Sequence, residues 1–405
     1  MRLPRLTTSA AKPPPSLDAS DLAPAVPPLR PGIEIPVCAP SPDAQDLQRL
    51  RERGRHLARQ EAWDNLAAEM RDAGSNNSLT AGLYPVAMCL AEGARSDVCH
   101  AIRHAQETGG RDRVTVVSQA FAANLADEDP EDQPMLSYLL AMVELETAHL
   151  WRGASPVAEL APQLRSAYMQ HMRAAQALAD QFDPFEHQSM LWAALRCAIL
   201  DADAAPATRM ADDYEDLIEL DPHAPLHLKR LGVDAAPRRF GSWEVLETQA
   251  RRAAQQTRDV WGMGGYSWVY IGALERDSGA FRRLDAELFC EGLHDILERC
   301  PTQDMANRLA AFTGLTVGGP TAPGTPRRRI ADALGWITQD HLRELHPEIW
   351  AEAPSAVRFQ STDTDPIKRG RMRANSTLAE FYAPALQAGR RLVFGPDGLR
   401  MLKGD

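Results

Sequence analysis

Apolar side chains recur three and four positions apart through most of the chain, the spacing that places them on one face of an α-helix, and clusters of Gly, Asn and Pro separate the segments so marked. The pattern predicts helices over 44–73, 79–93, 97–108, 113–127, 134–151, 157–181, 185–203, 207–220, 224–235, 242–260, 265–277, 280–300, 303–313, 327–351 and 375–389. One stripe shows the logic: Leu136, Leu140, Val143, Thr147 and Leu150 share a helical face, while Glu144, Glu146 and Arg152 occupy others. The breaks have their own chemistry. Gly74-Ser75-Asn76-Asn77, Gly109-Gly110, Asp129-Pro130 and Asp183-Pro184 each supply a turn or end a helix.

The two ends depart from this pattern. Residues 1–43 hold 11 of the 30 prolines with no helical or strand period, which predicts a disordered or extended Pro-rich arm. The helical body is expected over 44–313 and a Gly/Pro linker over 314–326, marked by Gly314, Gly318, Gly319, Pro320, Pro323, Gly324 and Pro326. A basic module over 327–405 follows. Within it, 356–361 and 391–402 read as strands, and Phe394-Gly395-Pro396-Asp397-Gly398-Leu399 reads as a β-hairpin turning at Pro-Asp-Gly.

Three segments repeat an aromatic-x2-Leu-x3-apolar pattern: Trp63, Leu66, Met70; Trp243, Leu246, Ala250; and Phe281, Leu284, Leu288. Trp243 and Phe281 are 38 residues apart, a period suited to a helix pair. Gly241 and Gly279 stand two residues upstream of them, where a turn between helices favours a residue free to take positive φ. Trp268-x2-Ile271-Gly272, followed by Gly279 and Phe281, resembles the first helix and turn of a tetratricopeptide repeat. Tyr214, Leu217, Ile218, Leu220 and Pro222 resemble the end of its second helix. The resemblance covers 190–300 and, more weakly, 44–73; residues 97–181 show no clear match. It implies an all-α fold of helical-hairpin repeats, an α-solenoid whose concave face holds a peptide or another protein, with a small C-terminal module carrying the hairpin.

Composition narrows the function classes. The 405 residues include 63 Ala, 40 Arg and only 4 Lys, with a formal charge of -11. Lys12, Lys229, Lys368 and Lys403 are followed by Pro, Arg, Arg and Gly, so no Gly-Lys-Ser/Thr phosphate loop exists and a Walker-type nucleotide hydrolase is excluded. Prolines interrupt the N-terminal stretch, so no secretory signal is read there, and no apolar run has the length of a membrane span. Six sparse cysteines without a Cys-x2-Cys read as small buried hydrophobes of a reducing, cytoplasmic environment, with Cys89 and Cys99 alone placed where they could meet.

Candidate chemistry is thin. His100 and His104 stand one helical turn apart but lack the Glu of a zincin, and His223 and His227 repeat the spacing between prolines. Glu146-x2-His149 is half of a di-iron carboxylate pattern without its second half. No metal site or cofactor is expected from these fragments. Asp212, Asp213, Glu215 and Asp216 read as the solvated face of a helix. Gly241-Ser242-Trp243 reads as a helix N-cap rather than a nucleophile elbow, and Gly262-Met263-Gly264-Gly265 as a turn between helices.

Charge is uneven. Residues 354–405 carry +4 and the rest carry -15. Two basic clusters, Arg327, Arg328, Arg329 and Lys368, Arg369, Arg371, Arg373, are the candidate binding residues. Guanidinium groups suit phosphate, carboxylate or this protein's own acidic body. The leading expectation is a non-enzymatic scaffold or adaptor for a protein or peptide partner. The alternatives are an enzyme built from distant helices, with His100, His104, Glu146 and His149 as first suspects, and nucleic-acid binding through the basic clusters.

Overall fold

A computed structural model of the chain, which describes residues 32–126, 129–355 and 364–403, converts the three-and-four spacing into a mostly helical protein with a small three-stranded sheet at its C-terminal end. The helices of the first half are Pro42–Arg59 (α1), Trp63–Ser75 (α2), Val86–Asn124 (α3), Gln133–Arg152 (α4), Pro162–Ala179 (α5), Met190–Ala198 (α6) and Pro206–Leu220 (α7). Next come Pro225–Asp234 (α8), Trp243–Gln256 (α9), Arg258–Trp261 (α10), Gly264–Leu274 (α11), Ala286–Arg299 (α12) and Gln303–Ala311 (α13). The last third has Pro326–Ala331 (α14), Ala333–Trp336 (α15), Pro347–Glu352 (α16), Pro366–Phe381 (α17) and Ala383–Gln387 (α18). The strands are Ile33–Glu34 (β1), Arg390–Gly395 (β2) and Gly398–Lys403 (β3).

Short polar side chains fix several helix starts by accepting amides that the first turn leaves free. Ser41 accepts from Ala44 N at 3.3 Å before α1, Ser242 from Val245 N at 3.2 Å before α9, and Thr302 from Met305 N at 3.2 Å before α13. Ser242 therefore has the capping role that its sequence context suggests. The apolar stripes face inward: Leu136, Val143 and Thr147 of α4 are buried, as are Trp63, Leu66 and Met70 of α2.

Several expected boundaries move, for local reasons. Residues 79–85 are not helical; Leu79 and Pro85 pair across a loop in which Leu83 has a φ of 63°. The segments 86–93, 97–108 and 113–124 join into the single run α3, because Ala94, Arg95 and Ser96 offer no helix breaker, and the run bends at Gly110, where φ is 65°. The expected helix 280–300 starts only at Ala286, where Asp285 accepts the amides of Glu287 and Leu288. The expected helix 327–351 breaks into α14, α15, a wide turn at Ile337–His341 and α16, since Pro347 cannot continue a preceding helix. Gly241 and Gly279 do not take positive φ. They are small for steric reasons: a Cβ on Gly241 would lie 2.0 Å from Ala235 O, and one on Gly279 would lie 2.6 Å from Trp243 Cζ2.

The hairpin forms as expected, with Leu392 opposite Met401 and Gly395 opposite Gly398. A third strand was not expected. Ile33–Glu34, inside the stretch assigned to the arm, pairs in parallel with β2, Ile33 opposite Leu392. Ile33 and Ile35 are buried there, which supplies an apolar anchor the proline count concealed. Residues 1–31 of the arm and the expected strand at 356–361 lie outside the described residues. In the Gly/Pro stretch 314–326, Gly314 packs on Thr377 and Leu334, and Val317 is fully buried. Buried apolar residues from Ile33 to Phe394 form one continuous cluster. All six cysteines are free, Cys89, Cys197 and Cys290 being buried. Among the described residues no helix is long and apolar enough to cross a membrane.

Two helix pairs set a glycine against the partner's backbone carbonyl on both sides of their crossing. Between α1 and α3, a Cβ on Gly54 would lie 2.0 Å from Leu90 O, and one on Gly93 would lie 2.0 Å from Arg51 O. Between α8 and α11, a Cβ on Gly232 would lie 1.8 Å from Val269 O, and one on Gly272 would lie 2.0 Å from Lys229 O. The facing carbonyl stands three residues before the facing glycine in all four contacts. A side chain there must push one helix backbone off another, so Gly54→Ala and Gly232→Ala are each expected to lower stability by about 3 kcal/mol. Gly74→Ala, at a position with nothing within 4 Å, is expected to be neutral or to stabilise by about 0.5–1 kcal/mol. Urea midpoints of the three variants test this.

Candidate functional site

The helices that carry these glycine contacts also wall a half-open cavity of two adjoining lobes. Its first lobe, about 920 Å3, is lined by Leu47, Gln48 and Arg51 of α1, Leu226 and Lys229 of α8, Ile271 of α11 and Glu275 just past its end, and Arg308 and Leu309 of α13. Its second lobe, about 800 Å3, is lined by Glu92 and Arg95 of α3, Met142, Glu146 and His149 of α4, and Arg230 and Asp234 of α8. The three- and four-residue spacings mean that each helix presents one face to the space. Tyr84 and Arg276 line both lobes.

In the first lobe Asp43, in the first turn of α1, is a buried hub. It accepts from Thr80 Oγ1 at 2.5 Å, Gly82 N at 2.8 Å and Arg308 Nη2 at 3.0 Å. Gly82 is required there, since a Cβ would lie 2.3 Å from the Asp43 carboxylate. Arg308 also donates to Asp304 at 2.5 Å. Burial raises the pKa of Asp304, and the guanidinium of Arg308 opposes that rise. Lys229 pairs with Glu275 at 2.8 Å, and Arg51 with Glu92 at 2.8 Å. The other oxygen of Glu92 accepts from Tyr84 Oη at 2.5 Å. Burial, followed by the charge of Glu92, raises the Tyr84 pKa, so this phenol remains a donor.

The second lobe holds an excess of positive charge. Six arginines (95, 152, 230, 238, 239 and 276) face four carboxylates (Glu92, Glu146, Asp201 and Asp234), and every one of those carboxylates is already hydrogen-bonded. Buried Arg95 donates to Glu146 at 2.5 Å. Arg239 donates to Asp234 at 2.9 Å and to both oxygens of Asp201 at 3.1 Å. Tyr168 and Tyr214 add 2.8 Å bonds to Asp201 and Asp234. Arg238 is paired with Asp277 outside the lobe at 2.7 Å. Arg152, Arg230 and Arg276 have no carboxylate partner among the described residues, and Arg230 and Arg276 are exposed to the cavity. Arg230 lies within electrostatic reach of Tyr84, Tyr138 and Tyr214. Burial pushes the Tyr138 phenol up to about 12, and Arg95 and Arg230 work against the rise. His149 on the same wall has its pKa lowered by burial and then by Arg152, which favours the neutral ring.

The basic residues singled out in the sequence are elsewhere, and most are occupied. Arg327 donates to Val317 O at 2.8 Å and to Gly318 O at 2.5 Å. Arg328 pairs with Asp332 at 2.8 Å, and Arg329 donates to both oxygens of Glu287 at 3.0 Å. Arg373 is buried and donates to Ala351 O at 2.7 Å and Ala353 O at 2.5 Å, so it closes the C-terminal end of α16. Lys368 reaches Asp365 at 4.0 Å, while half-buried Arg369 and Arg371 have no carboxylate partner among the described residues. His100 and His104 are exposed on α3, outside both lobes. His227 is fully buried and meets Asp221 at 3.1 Å, apart from exposed His223. Of the first suspects for catalysis, only Glu146 and His149 reach the cavity.

Sequence reasoning missed Arg230 and Arg276 because Arg230 is the single arginine of α8 and Arg276 lies in the turn after α11, with no motif around either. The faint signal is Lys229-Arg230, the one basic pair in α8. No protein-family model, curated protein or solved structure matches the chain.

Asp43→Ala is expected to cost about 3 kcal/mol, because it removes three bonds, two of them from Thr80 and Gly82, and leaves the half-buried Arg308 guanidinium short of a partner. Arg53→Ala, which breaks the exposed Arg53–Glu69 pair, is expected to cost less than about 1 kcal/mol. Within the C-terminal cluster, Arg373→Met is expected to lower stability by about 2 kcal/mol and Arg371→Ala by less than about 0.5 kcal/mol. Chemical denaturation of the four variants separates structural from solvent-facing residues.

Proposed function

We propose that the protein is a non-enzymatic helical-repeat scaffold that holds an acidic segment of a partner protein in its central cavity. The repeat part of this reading is supported by the two glycine crossings. Gly54 and Gly93 are 39 residues apart and Gly232 and Gly272 are 40 apart, each pair with the same carbonyl-to-glycine offset. In both cases an aromatic-led helix, α2 beginning at Trp63 or α9 beginning at Trp243, lies between the crossing helices in the chain. A helix, a Trp-led helix and a second crossing helix thus occur twice, as duplicated helical hairpins would require.

The binding part rests on the charge of the second lobe. Its carboxylates are all engaged within the protein, while half-buried Arg152 and exposed Arg230 and Arg276 have no carboxylate partner among the described residues. A ligand that brings carboxylates or phosphates completes the pairing, and guanidinium groups hold such oxyanions by paired hydrogen bonds. Nucleic acid is less well supported, because Arg327, Arg328, Arg329 and Arg373 of the basic clusters are engaged within the protein.

Fluorescence anisotropy with a glutamate-rich peptide, and with a lysine-rich peptide of the same length, tests the reading. The full-length protein is expected to bind the acidic peptide with an affinity that falls as salt is raised. Arg230→Ala together with Arg276→Ala is expected to weaken binding by at least about tenfold; Arg369→Ala with Arg371→Ala should leave it unchanged. Equal binding by the parent and the Arg230/Arg276 double variant, or binding of the lysine-rich peptide alone, overturns the reading.

A further inference from the structure

The residues from 36 to 38 lie against the loop that leads into α16. Val37 pairs in parallel with Leu345, Cys38 N donates to Leu345 O at 2.9 Å, and Leu345 N donates to Pro36 O at 2.8 Å. Alternation along an extended segment puts Glu344 and His346 on one side of it. This pairing brings the Cys38 thiol, the Glu344 carboxylate and the His346 imidazole together, with their ligand atoms within 4.8 Å of one another.

The surroundings of the cluster suit a cation. His346 is 1% exposed, and its ring is held in place: its main-chain N donates to Asn307 Oδ1 at 3.0 Å, and that oxygen also accepts from Trp350 Nε1 at 2.9 Å. Its Nε2 meets Glu344 Oε1 at 3.1 Å, while its Nδ1 is buried with no hydrogen-bond partner. Glu348 also lies within electrostatic reach of Cys38, and its Oε2 is buried without a partner. One carboxylate and a thiol therefore meet one imidazole, with a second carboxylate, Glu348, near the thiol. No arginine or lysine is paired with Glu344 or Glu348 among the described residues.

We propose that Cys38, Glu344 and His346 form a divalent transition-metal site. A sulfur, an imidazole nitrogen and a carboxylate oxygen are the donor types of tetrahedral zinc, and three protein ligands leave a fourth position for water. Binding converts the Cys38 thiol to a metal-bound thiolate and releases its proton to solvent, with no change of oxidation state. The half-buried Cys38 gives the ion access from solvent. Glu344 and His346 follow Cys38 by more than 300 residues, so the ion would fasten the segment after β1 to the C-terminal third of the chain.

Cobalt(II) provides the test. The reduced full-length protein, prepared without a histidine tag, is expected to take up one cobalt ion per chain, with a thiolate-to-cobalt charge-transfer band in the near ultraviolet. Equimolar zinc should abolish that band. Cys38→Ser, a change at a half-buried position, is expected to keep the circular dichroism of the parent, lose the band, and bind cobalt more weakly by at least about 100-fold. Glu344→Gln should weaken binding while keeping the thiolate band. Failure of the parent to bind cobalt or zinc stoichiometrically, cobalt bound without a thiolate band, or a band that survives Cys38→Ser overturns the assignment.

Discussion

Helices separated by ordinary side chains keep their axes some 8–10 Å apart; here two pairs are drawn closer because glycine faces a bare carbonyl on each side of the crossing. This contact determines which way the flanking residues point. Arg51 reaches across the α1–α3 crossing to Glu92, and Lys229 reaches across the α8–α11 crossing to Glu275. All four of these side chains line the cavity. The cavity's charged wall is thus a by-product of how closely the helix backbones approach, and a bulkier residue at any of the four glycines would displace it.

The charge balance of the second lobe is opposite to that of the chain as a whole. A formal charge of -11 repels acidic ligands at long range. Under the proposed reading, selectivity for an acidic segment arises after contact, in the second lobe, where the engaged carboxylates leave Arg152, Arg230 and Arg276 in excess. Desolvating an arginine is costly unless an oxyanion meets it.

Local chemistry was legible in the sequence wherever a few adjacent residues decide the outcome. Ser242 capping α9, the Pro-Asp-Gly hairpin and the buried stripe of α4 all follow from short-range rules. The helix ends at 285 and 347 were missed because an Asp cap and a proline interrupt runs whose apolar spacing continues through them. Arg327 and Arg373 looked like ligand-binding groups because composition does not reveal a carbonyl waiting nearby, yet each satisfies backbone oxygens within the protein. The cavity arginines and the Cys38 cluster could not be read at all. Their members come together only through packing between segments far apart in the chain.

The parallel pairing of β1 with β2 adds a constraint in time. Glu34 and Arg391, which face each other as an ion pair across those strands, are separated by 357 residues. The helical contacts between them are mostly between near neighbours in the chain and can form as each segment leaves the ribosome. The edge of β1 has no partner until almost the whole chain has been made, so closing this long loop falls last in the folding order. A translation pause in the final stretch would prolong the interval in which Ile33 and Ile35 stand uncovered, and chaperone holding is of most use then.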